Sequence, residues 1–389
     1  MTILLLTLTL LLLSLVYERV VLNRLRNSIP LVVAVTGTRG KSSVVRMLAS
    51  VLREAGDTVL AKTTGSQAQF VLPDGTVQDV PRRGIVSILE QKKVLRKAVE
   101  LRANCLVVEI MSIRPENHFV ESQQILKPDI VLVTNVRRDH TEAMGETETE
   151  IASVLRLDLP PAASVYVPEE FRSLLDPPSP GVKSARISSV RQGCSDPLRA
   201  ALKARQMTEF TENLDLVASV VRDLGVPDNI ASRGIENARQ DIGKFRVWTY
   251  RIGGKRIFLV NAFAANDPDS TMRIYEKARR TLAAAPALFT GLLNLRYDRP
   301  DRTVQWIEAL KEEASSHFKN LYVVGGHAHV VQRKVKSASI LPYSSPDEIT
   351  NVIAESMEED GILFGFGNIG GAGRALVEHW QRLGEEYGV

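Results

Sequence analysis

Short apolar runs alternate along the first third of the chain with longer stretches in which apolar residues recur every three or four positions. The short runs predict buried strands, and the longer stretches predict helices with one apolar face. In chain order the predicted elements are a strand at 31–35, a helix at 42–55, a strand at 58–62, a helix at 91–102 and strands at 105–110 and 130–135. Strands that alternate with helices are typical of an α/β fold with a doubly wound, mostly parallel sheet.

The same alternation restarts after residue 245, beyond a proline-rich middle region and two helical stripes at 212–224 and 227–239. Gly253 and Gly254 separate two strand-like runs, which favours a β-hairpin at the opening of a new domain. The predicted elements of this part are strands at 247–251, 255–261, 287–293, 321–324 and 362–364 and helices at 303–314 and 372–383. We therefore expect a central domain at 28–244 and a smaller C-terminal α/β domain at 245–389.

The first 17 residues contain no charged side chain, and about 17 residues is the shortest apolar run that spans a bilayer. No basic segment precedes this run and no small-residue cleavage site follows it, which favours a retained anchor over a signal peptide. Arg19, Arg24 and Arg26 come directly after it, so the positive-inside rule places the catalytic domains in the cytoplasm. Residues 1–27 are thus predicted to form a single-pass transmembrane helix in the cell membrane, with a buried core helix or an oligomerisation helix as the alternative.

Composition and charge narrow the classes of protein that fit. The 389 residues carry 49 basic and 45 acidic side chains, and the basic ones are scattered along the chain, so we expect no nucleic-acid partner. A hydrophobic content of 44% is ordinary for a globular protein and argues against disorder. The two cysteines, Cys105 and Cys194, suggest neither a disulfide framework nor a metal site.

The predicted strand at the start of the central domain runs directly into a glycine-containing turn and a helix. Gly37 and Gly40 let backbone N–H groups close around an anion. Lys41 adds a positive charge, and Ser42 offers a hydroxyl to a magnesium ion. Val35 stands where the pattern G-x-x-x-x-G-K-[ST] requires its first glycine, so only the second half of that pattern is present. The turn predicts a phosphate-binding loop, and a plain strand-to-helix turn is the alternative.

Two further predicted strands of the central domain end in polar side chains. Glu109 closes an apolar strand, where a buried carboxylate is costly unless a cation or hydrogen-bond donors receive it. A magnesium contact would meet that cost, and a salt-bridged strand end is the alternative. Asn135 and His140 follow the other strand, and His140 could ligate a metal or hydrogen-bond a phosphate. Ligands of such sheets bind beyond the carboxyl ends of the strands, so we expect these groups in one crevice.

The C-terminal domain offers two polar clusters, each directly after a predicted strand. Asn266 and Asp267 precede a helix, where they could cap its first turn or hold the ribose hydroxyls of a nucleotide. Arg299 and Arg302 are interleaved with aspartates and could bind phosphate through their guanidinium groups. A solvated loop of salt bridges is the alternative for the two arginines.

These motifs, taken in order, resemble those of the Mur ligase superfamily of ATP-dependent amide-bond-forming enzymes. The motifs that carry the resemblance are TGTRGKSS at 36–43, Glu109, NVRRDH at 135–140, ANDPDS at 265–270 and DRPDR at 298–302. Within the superfamily the chain is most similar to the ligase subunits of poly-γ-glutamate synthases, in its apolar N-terminus, in FAANDPDST at 263–271 and in GFGNIGGAG near the end. The form of the loop in this superfamily does not require glycine at position 35.

The resemblance implies a P-loop domain followed by a Rossmann-like C-terminal domain, with ATP and Mg²⁺ as cofactors. It assigns catalysis to Lys41, Glu109 and His140 and the metal to Ser42, Glu109 and His140. The nucleotide contacts that it implies come from Gly37, Thr38, Arg39, Gly40, Lys41, Ser42, Ser43, Asn135, Asn266, Asp267, Arg299 and Arg302. Many members carry a carbamoylated lysine at a place where this chain has none between 141 and 160, so water is expected to complete the coordination of the metal.

The activity implied by the resemblance is polymerisation of glutamate into poly-γ-glutamate through an acyl phosphate at the cytoplasmic membrane. The implied partners are glutamate and the growing chain, the membrane, integral membrane subunits of a synthase or export complex, and further copies of the chain in a homo-oligomer. A folylpolyglutamate-type or other small-molecule amino-acid ligase is the alternative enzyme. A membrane-anchored P-loop ATPase for transport or signalling is the alternative from another class, and it leaves the motifs at 263–302 unexplained.

Overall fold

The computed structural model of the protein describes residues 2–64, 68–81, 86–138, 141–176, 185–193, 198–201, 211–238, 243, 245–265, 267–283, 289–312, 317–342 and 344–387. The chain divides into two compact units, Met1–Gln240 and Asp241–Val389. We call them the N-terminal unit and the C-terminal unit. Each is built around a sheet of its own, and the domain boundary at 244–245 stays a prediction.

The strands of the N-terminal unit are β1 (Leu31–Thr36), β2 (Val59–Thr63), β3 (Gln69–Val71), β4 (Val77–Asp79), β5 (Cys105–Glu109), β6 (Ile130–Val133), β7 (Ser164–Pro168) and β8 (Arg186–Val190). Its helices are α1 (Thr2–Asn27), α2 (Lys41–Glu54), α3 (Glu90–Glu100), α4 (Pro115–Phe119), α5 (Thr141–Met144), α6 (Glu148–Leu155), α7 (Arg172–Leu175), α8 (Thr211–Asp223) and α9 (Asp228–Asn237). A π-helix follows α4 at Val120–Leu126, and short 3₁₀-helices lie at Arg156–Asp158 and Glu169–Phe171.

The sheet of the N-terminal unit has the strand order β4-β3-β2-β5-β1-β6-β7-β8. Six neighbouring strands run parallel, in the order β2, β5, β1, β6, β7 and β8. Strands β3 and β4 add an antiparallel edge beside β2. Side chains of β1 alternate between the two faces: Val33 and Val35 pack with α2, α8 and α9, whereas Val32 and Ala34 pack with α3 and α6. The predicted doubly wound, mostly parallel sheet is confirmed.

Helix α1 is long and apolar enough to cross a membrane, and its apolar window is wholly exposed. Its 26 residues extend about 39 Å at 1.5 Å per residue. The C-terminal part of this same helix docks on the N-terminal unit. Leu22 is buried in the core, Arg26 donates a hydrogen bond to Asp129 at 2.7 Å, and Glu18 forms an ion pair with Lys92 of α3. One unbroken helix therefore links the exposed apolar stretch to the folded unit.

The strands of the C-terminal unit are β9 (Arg246–Ile252), β10 (Lys255–Asn261), β11 (Phe289–Leu295), β12 (Phe318–Gly325), β13 (Ala338–Ile340), β14 (Gly361–Gly367) and β15 (Glu385–Glu386). Its helices are α10 (Pro268–Thr281), α11 (Pro300–Glu312), α12 (Ala328–Lys334), α13 (Pro346–Ser356) and α14 (Ala372–Leu383).

These seven strands lie in the order β13-β12-β11-β14-β10-β9-β15. Strands β13, β12, β11, β14 and β10 are parallel. Strands β9 and β15 are antiparallel additions at the edge beside β10. Ile252 pairs with Lys255 across the two glycines, which confirms the predicted hairpin. The smaller second α/β domain that the sequence predicts is therefore present.

Candidate active site

The loop between β1 and α2 depends on two glycines. Gly37 has a φ of +113° and Gly40 a φ of +85°, conformations that side-chain-bearing residues rarely adopt. A Cβ on Gly37 would lie 2.3 Å from Thr134 Oγ1, and one on Gly40 would lie 2.7 Å from Asn213 Nδ2 of α8. The loop therefore packs tightly against its neighbours and leads into the N-terminus of the 14-residue helix α2, whose free N–H groups favour an anion.

Replacing Gly37 with alanine is expected to lower the free energy of unfolding by about 1–3 kcal/mol more than replacing Gly56, because only the first Cβ meets a neighbour. Gly56 also has a positive φ, +101°, but a Cβ added there would meet no atom within 4 Å. Gly56→Ala is thus a matched control for backbone strain alone. Denaturant unfolding of the two variants measures the difference, and equal losses would contradict a tightly packed loop.

Asn135 holds the loop in shape from the end of β6. Its Oδ1 accepts hydrogen bonds from Thr38 Oγ1 at 2.5 Å and from the N–H of Arg39 at 3.2 Å, and its Nδ2 donates to the carbonyl oxygen of Arg39 at 2.8 Å. All of these contacts go to the loop itself. The structure thus brings Asn135, Thr38 and Arg39 together as the sequence predicts, and the described contacts of Asn135 brace the loop.

Lys41 bends back over the loop that precedes it. Its Nζ donates hydrogen bonds to the carbonyl oxygens of Gly37 at 2.7 Å and Thr38 at 3.2 Å. The ammonium group therefore lies beside the positive-φ turn, where an anion would meet it. Ser43 is half-buried in the first turn of α2.

Glu109 ends β5 in register with Val35 of β1, so it stands level with the start of the loop. Its side chain is 3% exposed, and its Oε2 accepts hydrogen bonds from Ser42 Oγ and from the N–H of Thr64, each at 2.7 Å. In the part of the chain that the structure describes, Oε1 of Glu109 accepts no hydrogen bond. Two neighbouring strands and the start of α2 thus converge on one carboxylate.

The Ser42 hydroxyl and the Glu109 carboxylate fit a magnesium ion. Both are hard oxygen donors, and Mg²⁺ commonly takes one or two such protein ligands while water and phosphate oxygens fill its other positions. Ser42 Oγ and Glu109 Oε2 lie 2.7 Å apart, so the hydroxyl and the carboxylate would belong to one site. No cluster of three or more histidine, cysteine or carboxylate side chains is found among the residues described.

Two predicted site residues, His140 and Asn266, lie outside the described residues, so their roles stay predictions. Three groups near the loop were missed by sequence reasoning: the N–H of Thr64, the side chain of Asn213, and Glu121, which holds the segment after Glu109. Each belongs to an element far away in the chain. The only local signal was that Thr64 follows a predicted strand whose carboxyl end opens toward the same edge of the sheet.

The predicted polar residues of the C-terminal unit make local contacts. Asp267 is the N-cap of α10, with its Oδ1 accepting from the N–H of Ser270 at 2.8 Å, as in the capping alternative. Arg302 donates to Gln305 Oε1 at 3.0 Å, and Arg299 is exposed just before α11. Their contacts with a nucleotide stay predictions.

A second polar cluster lies at the carboxyl ends of β11 and β14. The helices that follow these strands, α11 and α14, pack on opposite faces of the sheet. Open α/β sheets bind ligands at such switch points. Asn294 donates from Nδ2 to the carbonyl oxygens of Asn368 and Gly370, whereas its buried Oδ1 has no partner among the described residues. Arg296 follows, and its two hydrogen bonds to Asp298 hold the pKa of that carboxyl below its usual range.

Comparison with known proteins matches each of the two units to a different domain family. Residues 35–157 match the Mur ligase middle domain, and residues 247–383 match the poly-gamma-glutamate synthase CapB C-terminal domain. The chain is 28% identical over 364 residues to PGA synthase CapB of Bacillus subtilis (strain 168), covering 90% of both chains. It is 28% identical over 366 residues to the capsule biosynthesis protein CapB of Bacillus anthracis, covering 90% of this chain and 76% of that one.

Among solved structures, the chain is similar to a bifunctional folylpolyglutamate synthase/dihydrofolate synthase of Yersinia pestis complexed with AMPPNP and a Mn ion. The TM-score is 0.62 at 12% identity, and the match covers 94% of this chain and 92% of that one. This likeness shows the fold, while the two matched families cover the loop between β1 and α2, Glu109 and most of the C-terminal unit. The chain therefore combines a Mur ligase middle domain with a poly-γ-glutamate synthase CapB C-terminal domain, and this combination identifies it as an ATP-dependent amide ligase.

Proposed function

We propose that this chain uses ATP to join glutamate residues into a γ-linked polymer at the cytoplasmic face of a cell membrane. The observation that carries the proposal is the contact of Ser42 with Glu109 beside the phosphate-binding loop, because it joins a hydroxyl and a buried carboxylate where a nucleotide-bound metal would lie. The relatives named PGA synthase CapB and capsule biosynthesis protein CapB support glutamate as the substrate.

Amide formation from a free carboxylate needs a leaving group, because the anionic carboxylate resists attack by an amine. In the proposed reaction a carboxylate oxygen attacks the γ-phosphorus of ATP, the bond to the bridging oxygen breaks, and ADP leaves. The product is an acyl phosphate. The amine nitrogen then attacks the acyl carbon, the bond to the phosphate oxygen breaks, and the nitrogen loses a proton. One ATP is consumed for each amide bond formed.

The N-terminal unit supplies the groups proposed to handle phosphate. Backbone N–H groups at the start of α2 would hold the phosphates, with the loop kept in shape by Asn135. The Lys41 ammonium would turn from the carbonyl oxygens of Gly37 and Thr38 onto the transferred phosphoryl group. A positive charge placed in advance stabilises the negative charge that spreads over that group in the transition state.

Ser42 and Glu109 are the residues proposed to hold Mg²⁺, with His140 as a further contact. When bound, the ion neutralises charge on the phosphate oxygens and fixes their orientation. Glu109 receives two hydrogen bonds on Oε2, which aim its carboxylate while Oε1 stays available to the ion. The hydrogen bonds from Ser42 and Thr64 thus orient the Glu109 carboxylate, and this carboxylate supplies negative charge to the proposed metal site.

The C-terminal unit is proposed to contact the nucleotide and to bind the amino acid. Asn266, Asp267, Arg299 and Arg302 are the residues proposed to contact the nucleotide. The cluster at the ends of β11 and β14 would take glutamate, because the Arg296 guanidinium suits a carboxylate and the buried acceptor Asn294 Oδ1 suits an ammonium group.

Helix α1 is proposed to span the cell membrane, with both units in the cytoplasm. Its exposed apolar window supports this placement, as do the basic residues Arg19 and Arg24 that follow it. A polyanion made at the membrane surface can be passed to an exporter, so integral membrane subunits of a synthase or export complex are the proposed partners. Copies of the chain itself are proposed to associate as a homo-oligomer.

ATP turnover by the purified full chain in detergent or vesicles tests the proposed function. We expect turnover to rise on addition of L- or D-glutamate, and mass spectrometry of the product to show a series of masses spaced by one glutamate residue. A folylpolyglutamate-type ligase would instead extend only a folate acceptor. Hydrolysis that ignores glutamate and yields no oligomer would favour the ATPase for transport or signalling and contradict the proposal.

A further inference from the structure

The segment after Glu109 contains two buried ionisable side chains that the proposed reaction does not use. Residues 115–126, comprising α4 and the π-helix, are called the bridging segment. It carries His118, which is 2% exposed, and Glu121, which is 0% exposed. Burying either group costs free energy unless other groups bond to it, so their partners indicate what the segment does.

Glu121 is bonded to the residues that directly follow β5. Its carboxylate accepts hydrogen bonds from the N–H of Met111 at 3.0 Å, from the N–H of Ser112 at 2.9 Å and from the Ser112 hydroxyl. Gln91 of α3 donates to the same carboxylate and also, at 3.3 Å, to the carbonyl oxygen of Glu109. Two successive backbone N–H groups aimed at one carboxylate determine the direction in which the chain leaves Glu109.

The complete burial of Glu121 costs free energy, because its carboxylate loses contact with water. Burial raises the pKa of Glu121, and the hydrogen bonds from Ser112 and Gln91 oppose that rise. An apolar side chain of similar size would fill the same volume without this cost. Only an acceptor with two oxygens can receive all of these donors, so the carboxylate serves to hold the backbone at Met111 and Ser112.

His118 bonds the other side of the bridging segment to the phosphate-binding loop. Its Nδ1 lies 2.9 Å from the carboxylate of Asp158, which accepts a hydrogen bond from Thr36 Oγ1 at 2.5 Å. Thr36 is the last residue of β1, directly before the loop. Ser122 donates to the carbonyl oxygen of Asp158 at 2.7 Å. The bridging segment thus joins the base of the loop to the segment that follows Glu109.

We propose that Glu121 is a positioning residue, which keeps Glu109 where its carboxylate and Ser42 can share one divalent ion. This inference rests on the proposed function. The π-helix supports it, because π-helical turns are frequent at functional sites, and here the turn carries Glu121 toward Met111 and Ser112. The role is indirect, since Glu121 acts on the metal through the backbone at 110–112.

The test compares ADP binding by the full chain with Mg²⁺ and with EDTA, measured by calorimetry in the absence of glutamate. In the Glu121→Gln variant, the amide NH₂ would face N–H donors, so the segment after Glu109 should shift. We expect Glu121→Gln to weaken ADP binding about 10- to 100-fold with Mg²⁺ and to leave it unchanged in EDTA. A merely structural defect would weaken both.

Two further variants keep the test decisive. Tyr166→Phe removes a hydrogen bond to Asp223 elsewhere in the same unit, and it controls for loss of stability without a change in Mg²⁺ dependence. Ser112→Ala removes only one donor to Glu121 and should shift Mg²⁺-dependent binding in the same direction by less, even if Glu121→Gln fails to fold. Unchanged Mg²⁺ dependence in either folded variant, Glu121→Gln or Ser112→Ala, would overturn the proposal.

A double-variant cycle separates this inference from the proposed function. Because Glu121 acts through Glu109, adding Glu121→Gln to Glu109→Gln should cause little further loss of Mg²⁺-dependent ADP binding. Additive losses would overturn the positioning role and leave the proposed function intact. Wild-type protein whose ADP binding ignores Mg²⁺ would overturn both.

Discussion

Replacing Lys41 with methionine is expected to lower ATP turnover and polymer formation by about 10²- to 10³-fold, the usual cost of removing one preorganised electrostatic contact to a transition state. In the structure the Lys41 ammonium lies on the carbonyl oxygens of Gly37 and Thr38, at the centre of the loop. Methionine keeps the length of the side chain and removes the charge. Steady-state turnover with saturating glutamate measures the loss.

Lys93→Met is the matched control, because Lys93 is exposed on α3 and its replacement changes the net charge of the protein equally. The control should turn over ATP at the wild-type rate. A Lys41→Met enzyme within about tenfold of wild type would show that the loop binds phosphate without contributing to its transfer.

Replacing Glu109 with glutamine is expected to raise the Mg²⁺ concentration for half-maximal turnover by about 100-fold or more, since the variant loses the charge of a proposed metal ligand. The amide oxygen can still accept the hydrogen bonds from Ser42 and from the N–H of Thr64, so the fold should persist. Titration of turnover with Mg²⁺ separates this effect from a loss of nucleotide affinity. Addition of EDTA to wild-type protein should abolish turnover.

The matching substitution is Glu100→Gln, at an exposed residue near the end of α3. It removes the same charge from the same unit and should leave the Mg²⁺ requirement at its wild-type value. If Glu109→Gln also kept the wild-type requirement, the carboxylate would be a structural partner of Ser42 alone, and the metal would have to bind elsewhere.

Elements with a strong local pattern were predictable. A parallel strand buried on both faces shows a continuous apolar run, so β1 was predicted to within one residue of its observed end at Thr36. Gly253 and Gly254 pin the hairpin register, and the predicted strand at 255–261 coincides with β10. Helix α14 agrees with the predicted range for a similar reason, because apolar residues line one face between a glycine turn and Gly384.

The features that the sequence did not predict have weak local patterns or depend on contacts between elements far apart in the chain. The π-helix at Val120–Leu126 does not repeat every 3.6 residues, so a search for helical periodicity passes over it. Strand β7 is five residues long and ends at Pro168 within a proline-rich region, which is typical of a loop. Glu121 looks like an ordinary surface acid until the fold brings Ser112 and Gln91 to it.

The continuity of α1 has a geometric consequence for the proposed placement of the protein in a membrane. Its C-terminal part is fixed to the N-terminal unit through Arg26 and Glu18, so the unit turns with the helix as one body. Each residue inserted after Tyr17 would rotate the unit by about 100° around the helix axis and lift it by about 1.5 Å. In the proposed membrane placement, the number of residues between the apolar stretch and Arg26 therefore sets the direction in which the loop between β1 and α2 faces around the helix axis. The proposed partner subunits would have to be arranged around that single direction.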